Sequence, residues 1–269
     1  MANIFNFTKM HGAGNDFAII DDRDNRFPVD DHRRIAALAM RPDGIGCDGV
    51  ILVRNAESPN VDFKMRFFNP DGTEANLCGN GARCVAAFAL DAGAANNPRM
   101  RFETSSGIVE AEVIDPGHVK VSMPDPADFR EDFVVEGVPH KIVPVENLAK
   151  TDVAVEGRKI RLDPDYAPEG TNVDFVVFRP PSKLHIRTYE RGVEGETLAC
   201  GTGATAAAII GVRDYGLEFP VKVATVAGYE LTVDGRRDGD GFCEIWLSGP
   251  VKKVFSGQID IDSLDAVSE

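Results

Sequence analysis

Two cysteines stand in matched settings suited to acid/base chemistry. Cys78-Gly79-Asn80-Gly81-Ala82 and Cys200-Gly201-Thr202-Gly203-Ala204 each put a thiol ahead of a glycine-bracketed turn. Each turn opens an alanine-rich run, which predicts a helix because alanine is the best helix former. The runs are apolar all round, so both helices are expected to be buried and central. A free thiol titrates near about 8.5. At a helix N-terminus that value is expected to fall, because N–H groups and the helix dipole favour the thiolate. The neighbouring glycines let the backbone approach a ligand closely. Converging N–H groups then make a site for a carboxylate. Two such thiols suit the removal of a proton from one face of a carbon and its return on the other. They must share one proton, so their titrations belong to the pair. Donors arranged around the carboxylate would supply most of the stabilisation as charge develops there.

Positioning these thiols calls for two similar halves. Cys78 and Cys200 are 122 positions apart (200 minus 78), and Thr104 and Thr225 are 121 apart (225 minus 104). Met65-Arg66-Phe67-Phe68 precedes Ile186-Arg187-Thr188-Tyr189 by 121 (186 minus 65). One offset kept at three landmarks predicts an internal repeat. The expected fold is α/β (α+β), with two pseudo-symmetric domains. Each is a curved, mostly antiparallel sheet or barrel around a central buried helix. The expected boundaries are 1–124, 125–255 and a tail over 256–269 that packs back on the first domain, with the break at Pro124-Asp125-Pro126. Strands are expected over 4–10, 17–20, 50–53, 61–68, 100–104, 108–114 and 119–123 in the first half. In the second they are expected over 133–135, 142–145, 173–178, 184–189, 221–226, 230–233 and 242–247. His11 to Asp16 is expected as a turn, and Asp234 to Gly241 as a polar loop. A helix carrying Ile35, Leu38 and Ala39 is expected after a cap at Asp30 or Asp31 and before Pro42.

The rest of the composition narrows the class. With 269 residues and 43% hydrophobic content the chain can bury a core without staples. A net charge of −14 argues against a nucleic-acid partner. No apolar run is long enough to span a membrane. The start lacks a signal-peptide pattern. Five cysteines without a Cys-x-x-Cys pair fit a cytoplasmic protein with free thiols. Cys47, Cys84 and Cys243 are expected to be buried core residues. No close ligand pair suggests zinc. Gly201-x-Gly203-x-x-Ala206 lacks the preceding apolar strand that a dinucleotide fingerprint requires. On residues alone, three readings stand: an epimerase or racemase using two thiols, a thiol redox enzyme, and a two-lobed amino-acid binding protein.

The wider motif set resembles the diaminopimelate epimerase family. It comprises Lys9-Met10-His11-Gly12-Ala13-Gly14-Asn15-Asp16-Phe17, Phe68-Asn69-Pro70-Asp71-Gly72, the Cys78 segment through Cys84, and Pro168-Glu169-Gly170-Thr171-Asn172-Val173. Tyr189-Glu190-Arg191-Gly192, Gly195-Glu196-Thr197 and the Cys200 segment complete it. The resemblance implies a cofactor-independent enzyme interconverting LL- and meso-diaminopimelate in lysine and peptidoglycan synthesis. It implies Cys78 and Cys200 as the acid/base thiols, with Cys78 the base toward the L configuration. Gly79, Asn80, Gly201 and Thr202 would bind the reacting carboxylate through backbone N–H groups. Asn15, Asn69, Asn172, Glu190 and Arg191 would hold the amino and carboxylate groups of the substrate. His140 and Glu190 would tune the thiols. No metal is implied, and the resemblance leaves room for a homodimer. The chain departs from the family's pattern at Val138, where many relatives carry Asn, and at Gly49, where a glutamine is frequent.

Overall fold

The structure is a computed structural model that describes residues 3–75, 77–126, 128–130, 133–135 and 138–264. Residues 265–269 of the expected tail, and parts of the 123–137 stretch, lie outside the described residues. The chain forms two compact units, 1–121 with 251–269, and 122–250.

The first unit contains strands β1 (Ile4–Gly12), β2 (Asn15–Asp21), β3 (Gly49–Arg54), β4 (Phe63–Phe68), β5 (Glu74–Ala75), β6 (Arg99–Thr104), β7 (Gly107–Asp115) and β8 (His118–Ser122). The second contains β9 (Asp128–Arg130), β10 (Phe133–Val135), β11 (Pro139–Pro144), β12 (Asn172–Arg179), β13 (Lys183–Glu190), β14 (Gly195–Thr197), β15 (Val221–Ala224) and β16 (Glu230–Asp238). A long strand β17 (Gly241–Asp260) pairs with β16 through its first part and with β1 through residues 251–260.

Both units use one pairing scheme. In the first, β1–β2 is antiparallel, β2–β3 parallel, β3–β4 antiparallel, β4–β6 parallel, and β6–β7–β8 antiparallel. In the second, β10–β11, β11–β12, β12–β13, β13–β15 and β15–β16–β17 follow the same order of directions. Registers repeat too. Phe63 opposes Phe102 in the first parallel pair, and Leu184 opposes Val223, each 121 positions on (184 minus 63, 223 minus 102), in the second. In the first unit the Val251 N–H donates to the Gly117 carbonyl at 2.9 Å and joins the two ends of the strand series.

Parallel neighbours need a crossover, and here each crossover carries a helix. In the first unit these are α1 (His32–Ala39) and α2 (Gly79–Asp91); in the second, α3 (Val153–Arg161) and α4 (Gly201–Asp214). Helix α2 packs against β1, β2, β3 and β7, and α4 against β10 to β13, β15 and β16. Each is therefore the central helix of its unit, wrapped by strands. Its apolar composition follows from that position, with Ala204 and 206–210 all buried in α4. Helices α1 and α3 carry one apolar face each. Asp31 caps α1 by accepting from the Arg34 N–H at 3.1 Å. Asp152 caps α3 by accepting from the Val155 N–H at 3.2 Å.

Several local expectations need correction. His11 lies in β1 opposite Asp16, and the turn is only Ala13-Gly14. Both turn residues have positive φ, 52° and 93°, the geometry of a two-residue hairpin that follows strand twist. The expected loop over 234–241 is mostly strand, because a bulge after Asp234 lets the polar ladder continue and Arg236 pairs with Glu244 at 3.0 Å. Cys243 on β17 is half-buried, unlike fully packed Cys47 and Cys84. The sequence reading omitted α3, whose buried face is only Val153 and Gly157.

Gly157 marks where α3 docks. A Cβ there would meet Tyr189 Cβ at 2.5 Å and its ring at 2.6 to 2.8 Å. Gly157→Ala is expected to destabilise the protein by about 1–3 kcal/mol despite alanine's better helix propensity. A urea melt checks this, and an unchanged midpoint would show that α3 shifts away from β13 at little cost.

Candidate active site

Each central helix begins at a cysteine. Cys78 caps α2 and Cys200 caps α4, both in extended backbone, with φ −124° and −114°. The first turn of any helix leaves N–H groups without intrahelical acceptors. Gly79, Asn80, Gly201 and Thr202 occupy those turns, as the sequence anticipates.

In the first unit, Cys78 Sγ donates to Asn15 Oδ1 at 3.5 Å, and Asn80 Nδ2 donates to the same oxygen at 3.4 Å. The orientation of Asn15 is fixed behind, where its Nδ2 donates to Asp48 Oδ2 at 2.9 Å. Asp48 in turn accepts from the Asp16 N–H, and Asp16 holds Lys9 at 2.8 Å and Arg41 at 2.9 Å. Burial pushes the Asp16 carboxyl up, but the two cations outweigh it and hold it below the usual range. Lys9 also donates to the Gly46 carbonyl. Asn80 is oriented from below by Arg83, whose Nη2 donates to Asn80 Oδ1 at 2.7 Å. Arg83 is fully buried and its Nη1 donates to the Gly79 carbonyl at 3.3 Å. The end of β1 closes on this turn, since a Cβ at Gly12 would sit 2.9 Å from the Asn80 carbonyl oxygen. Asn69, at the turn after β4, donates its amide to Thr73 Oγ1 at 3.1 Å.

In the second unit, Cys200 Sγ and Thr202 Oγ1 are 3.4 Å apart. His140 Nε2 lies 2.9 Å from Thr202 Oγ1, and His140 Nδ1 lies 2.7 Å from Asp174 Oδ2. Thr188 Oγ1 donates to Asp174 Oδ1 at 2.6 Å. His140 and Asp174 are both fully buried. Asn172 accepts from the Arg191 N–H at 2.7 Å, which seats the Glu190–Arg191 corner against β12. Burial pushes the Cys200 thiol well above its usual range, and the Glu190 and Asp174 carboxylates push it the same way. For Cys200 this runs against the expectation of a lowered thiol: desolvation and two carboxylates outweigh the lowering by the Thr202 hydroxyl and the Gly203 N–H.

The structure thus brings Asn15, Asn80 and Cys78 together in one unit, and His140, Thr202 and Cys200 in the other. Sequence reasoning missed Asp174, Thr188, Asp48 and Arg83. Asp174 had a signal: it is the one charge inside the apolar run from Val173 to Phe178.

The profile of the diaminopimelate epimerase family matches residues 7–129 and 133–254. The chain belongs to the diaminopimelate epimerase family. It is 41% identical to the diaminopimelate epimerase of Aquifex aeolicus (strain VF5), over 96% of this chain and 99% of that one. It is also 41% identical to the diaminopimelate epimerase of Chlorobaculum tepidum, over 94% of this chain and 100% of that one. Among solved structures, the Bacillus anthracis PhzF-family phenazine biosynthesis protein superposes with a TM-score of 0.74 at 17% identity, covering 95% and 99% of the two chains. A hydroxyproline epimerase from Agrobacterium vitis superposes with a TM-score of 0.71 at 17% identity, covering 98% and 95%. These two likenesses establish a shared fold. Membership of the family makes the chain an isomerase of the epimerase and racemase class.

Proposed function

We propose that the chain interconverts LL- and meso-diaminopimelate by proton transfer between the α-carbon and two cysteines. The observation that carries this reading is the matched pair of thiols. Each caps the central helix of a unit built on the same strand order, in a chain aligned almost end to end with diaminopimelate epimerases. One thiolate takes the α-proton, so that a C–H bond breaks and an S–H bond forms. The other thiol gives its proton to the opposite face, leaving a thiolate. Backbone N–H groups of Gly79, Asn80, Gly201 and Thr202 would hold the reacting carboxylate as negative charge moves onto it. Asn15, Asn69, Asn172, Glu190 and Arg191 would hold the amino and remaining carboxylate groups, including those of the far stereocentre. His140 and Glu190 would set the protonation of the thiols. Such a biosynthetic enzyme would work in the cytoplasm. Sedimentation velocity decides whether it does so as a monomer or a homodimer.

The test is to incubate the protein with LL-diaminopimelate in D2O and follow the α-proton signal by NMR. Loss of that signal with appearance of the meso isomer is expected. No exchange from folded protein would overturn the reading. Trans-4-hydroxy-L-proline, the ligand of the Agrobacterium vitis protein, is expected to be inert; turnover of it would redirect the substrate.

A further inference from the structure

The hydrogen bonds behind Cys200 have a definite direction, and it can be read from the groups themselves. An ionised carboxylate only accepts. Asp174 Oδ1 is taken by the Thr188 hydroxyl at 2.6 Å, and Oδ2 faces His140 Nδ1 at 2.7 Å. His140 Nδ1 therefore carries a proton. The other ring nitrogen is fixed independently by Asn172. The Asn172 amide cannot be turned over, because its oxygen accepts from the Arg191 N–H at 2.7 Å and its nitrogen donates to the Pro139 carbonyl at 3.1 Å. That same amide nitrogen lies 3.5 Å from His140 Nε2. A lone pair on Nε2 suits that donor and a proton on Nδ1 suits the carboxylate, and the two together describe the Nδ1–H tautomer. Nε2 then accepts from the Thr202 hydroxyl at 2.9 Å. With its proton committed there, Thr202 Oγ1 has only lone pairs left for Cys200, 3.4 Å away.

We propose that Asp174 is a positioning residue that, through His140 and the Thr202 hydroxyl, holds Cys200 as a hydrogen-bond donor, so that Cys200 enters turnover as the protonated arm of the pair. This rests on the two-thiol reading and adds a direction to it. The chain runs from Cys200 to Thr202, to His140, to Asp174, with every donor pointing inward. It occupies one buried line across α4, β11 and β12, and Thr188 closes it from β13. The charged groups facing Cys200 in this unit are Glu190 on β13 and Asp174 on β12, with His140 on β11 between. In the first unit Cys78 donates instead to an amide oxygen, that of Asn15, which cannot reverse its role. The two thiols are thus chemically unequal although their turns match.

The readouts use the free protein and need no turnover, so their failure is distinct from failure of the epimerase reading. The first is the 15N spectrum of the His140 ring in the wild type, assigned against His140→Gln. A protonated Nδ1 and a bare Nε2 at neutral pH are expected; the opposite tautomer overturns the proposal. The second is the pH dependence of Cys200 alkylation by iodoacetamide, followed by peptide mass spectrometry. Asp174→Asn removes the carboxylate that fixes the proton on Nδ1 and is expected to lower the Cys200 midpoint by about one pH unit, roughly tenfold faster alkylation at neutral pH. The shift is expected to persist with Thr202→Ser, which keeps the hydroxyl, and to shrink to less than about a third with Thr202→Val. An equal shift in all three backgrounds would mean that Asp174 acts by charge alone, and no shift that it only supports the fold. Either result overturns the relay. Should Asp174→Asn fail to fold, the tautomer measurement on wild type still decides.

Discussion

Cys200→Ala is expected to abolish formation of meso-diaminopimelate from the LL isomer while leaving the fold and substrate binding intact. General acid/base groups contribute on the order of 10²–10⁴-fold. Thr202 Oγ1 and His140 Nε2 are engaged with each other at 2.9 Å, and Gly201 and Gly203 in the same turn carry no side chain. Cys78→Ala is expected to do the same from the other arm. The double variant is expected to lose little more than either single one, since the two groups act as a unit. Steady-state kinetics should show the loss in kcat with KM nearly unchanged. Residual turnover within about tenfold of wild type in either single variant would remove that thiol from the mechanism.

The second large effect is structural and asymmetric. Gly203→Ala puts a Cβ 2.4 Å from Asp174 Oδ1 and 3.2 Å from Oδ2. Asp174 is fully buried and held by both His140 and Thr188, so it cannot swing away cheaply. Alanine in a helix is ordinarily better than glycine by about 1 kcal/mol. Here the sign is expected to reverse, with a net loss of about 1–3 kcal/mol from overpacking and a broken charged hydrogen bond. Gly81 is the matched position in α2. A Cβ there meets the Ile51 Cδ1 and Met65 Cε tips at 3.1 and 3.5 Å and the edge of the Phe17 ring at 3.5 Å. Gly81→Ala is therefore expected to shift the thermal midpoint far less. Calorimetry on both variants checks the contrast. Equal midpoints would show that the Asp174 carboxylate has more room than its neighbours imply.

Much of this architecture is legible in the chain because the repeat is written at two levels. The glycine-bracketed cysteines mark where each central helix starts, and constant offsets mark the strands it sits among. Alanine-rich runs say helix, and their lack of a polar face says centre; α2 and α4 meet both expectations. The misses have physical causes. Helix α3 buries only Val153 and Gly157, so almost no apolar period announces it. Strand β17 runs far beyond Leu247 into polar residues, because from Val251 its ladder partner is β1, and pairing with a distant strand leaves no local mark. The candidate site divides in the same way. Residues named in motifs, such as Asn15, Asn80 and Cys78, do meet. What lies beneath them was hidden: Arg83 acts by being buried under its own helix turn, where it holds Asn80 and Gly79, and Asp174 acts through His140 and Thr188, which are remote in sequence. Asn69 shows the converse, a motif residue whose amide is used within its own turn.

The pairing of β1 with residues 251–260 of β17 also bears on synthesis. Ile4 opposes Asp260, 256 positions later (260 minus 4). A ribosome therefore releases the opening strand long before the segment that must lie beside it, at about 5–20 residues per second. The half made first is completed last, and until then β1 presents an unsatisfied edge. A nascent chain halted before residue 251 is expected to leave that edge open to chaperones or to aggregation, even with every residue of both thiol turns already made.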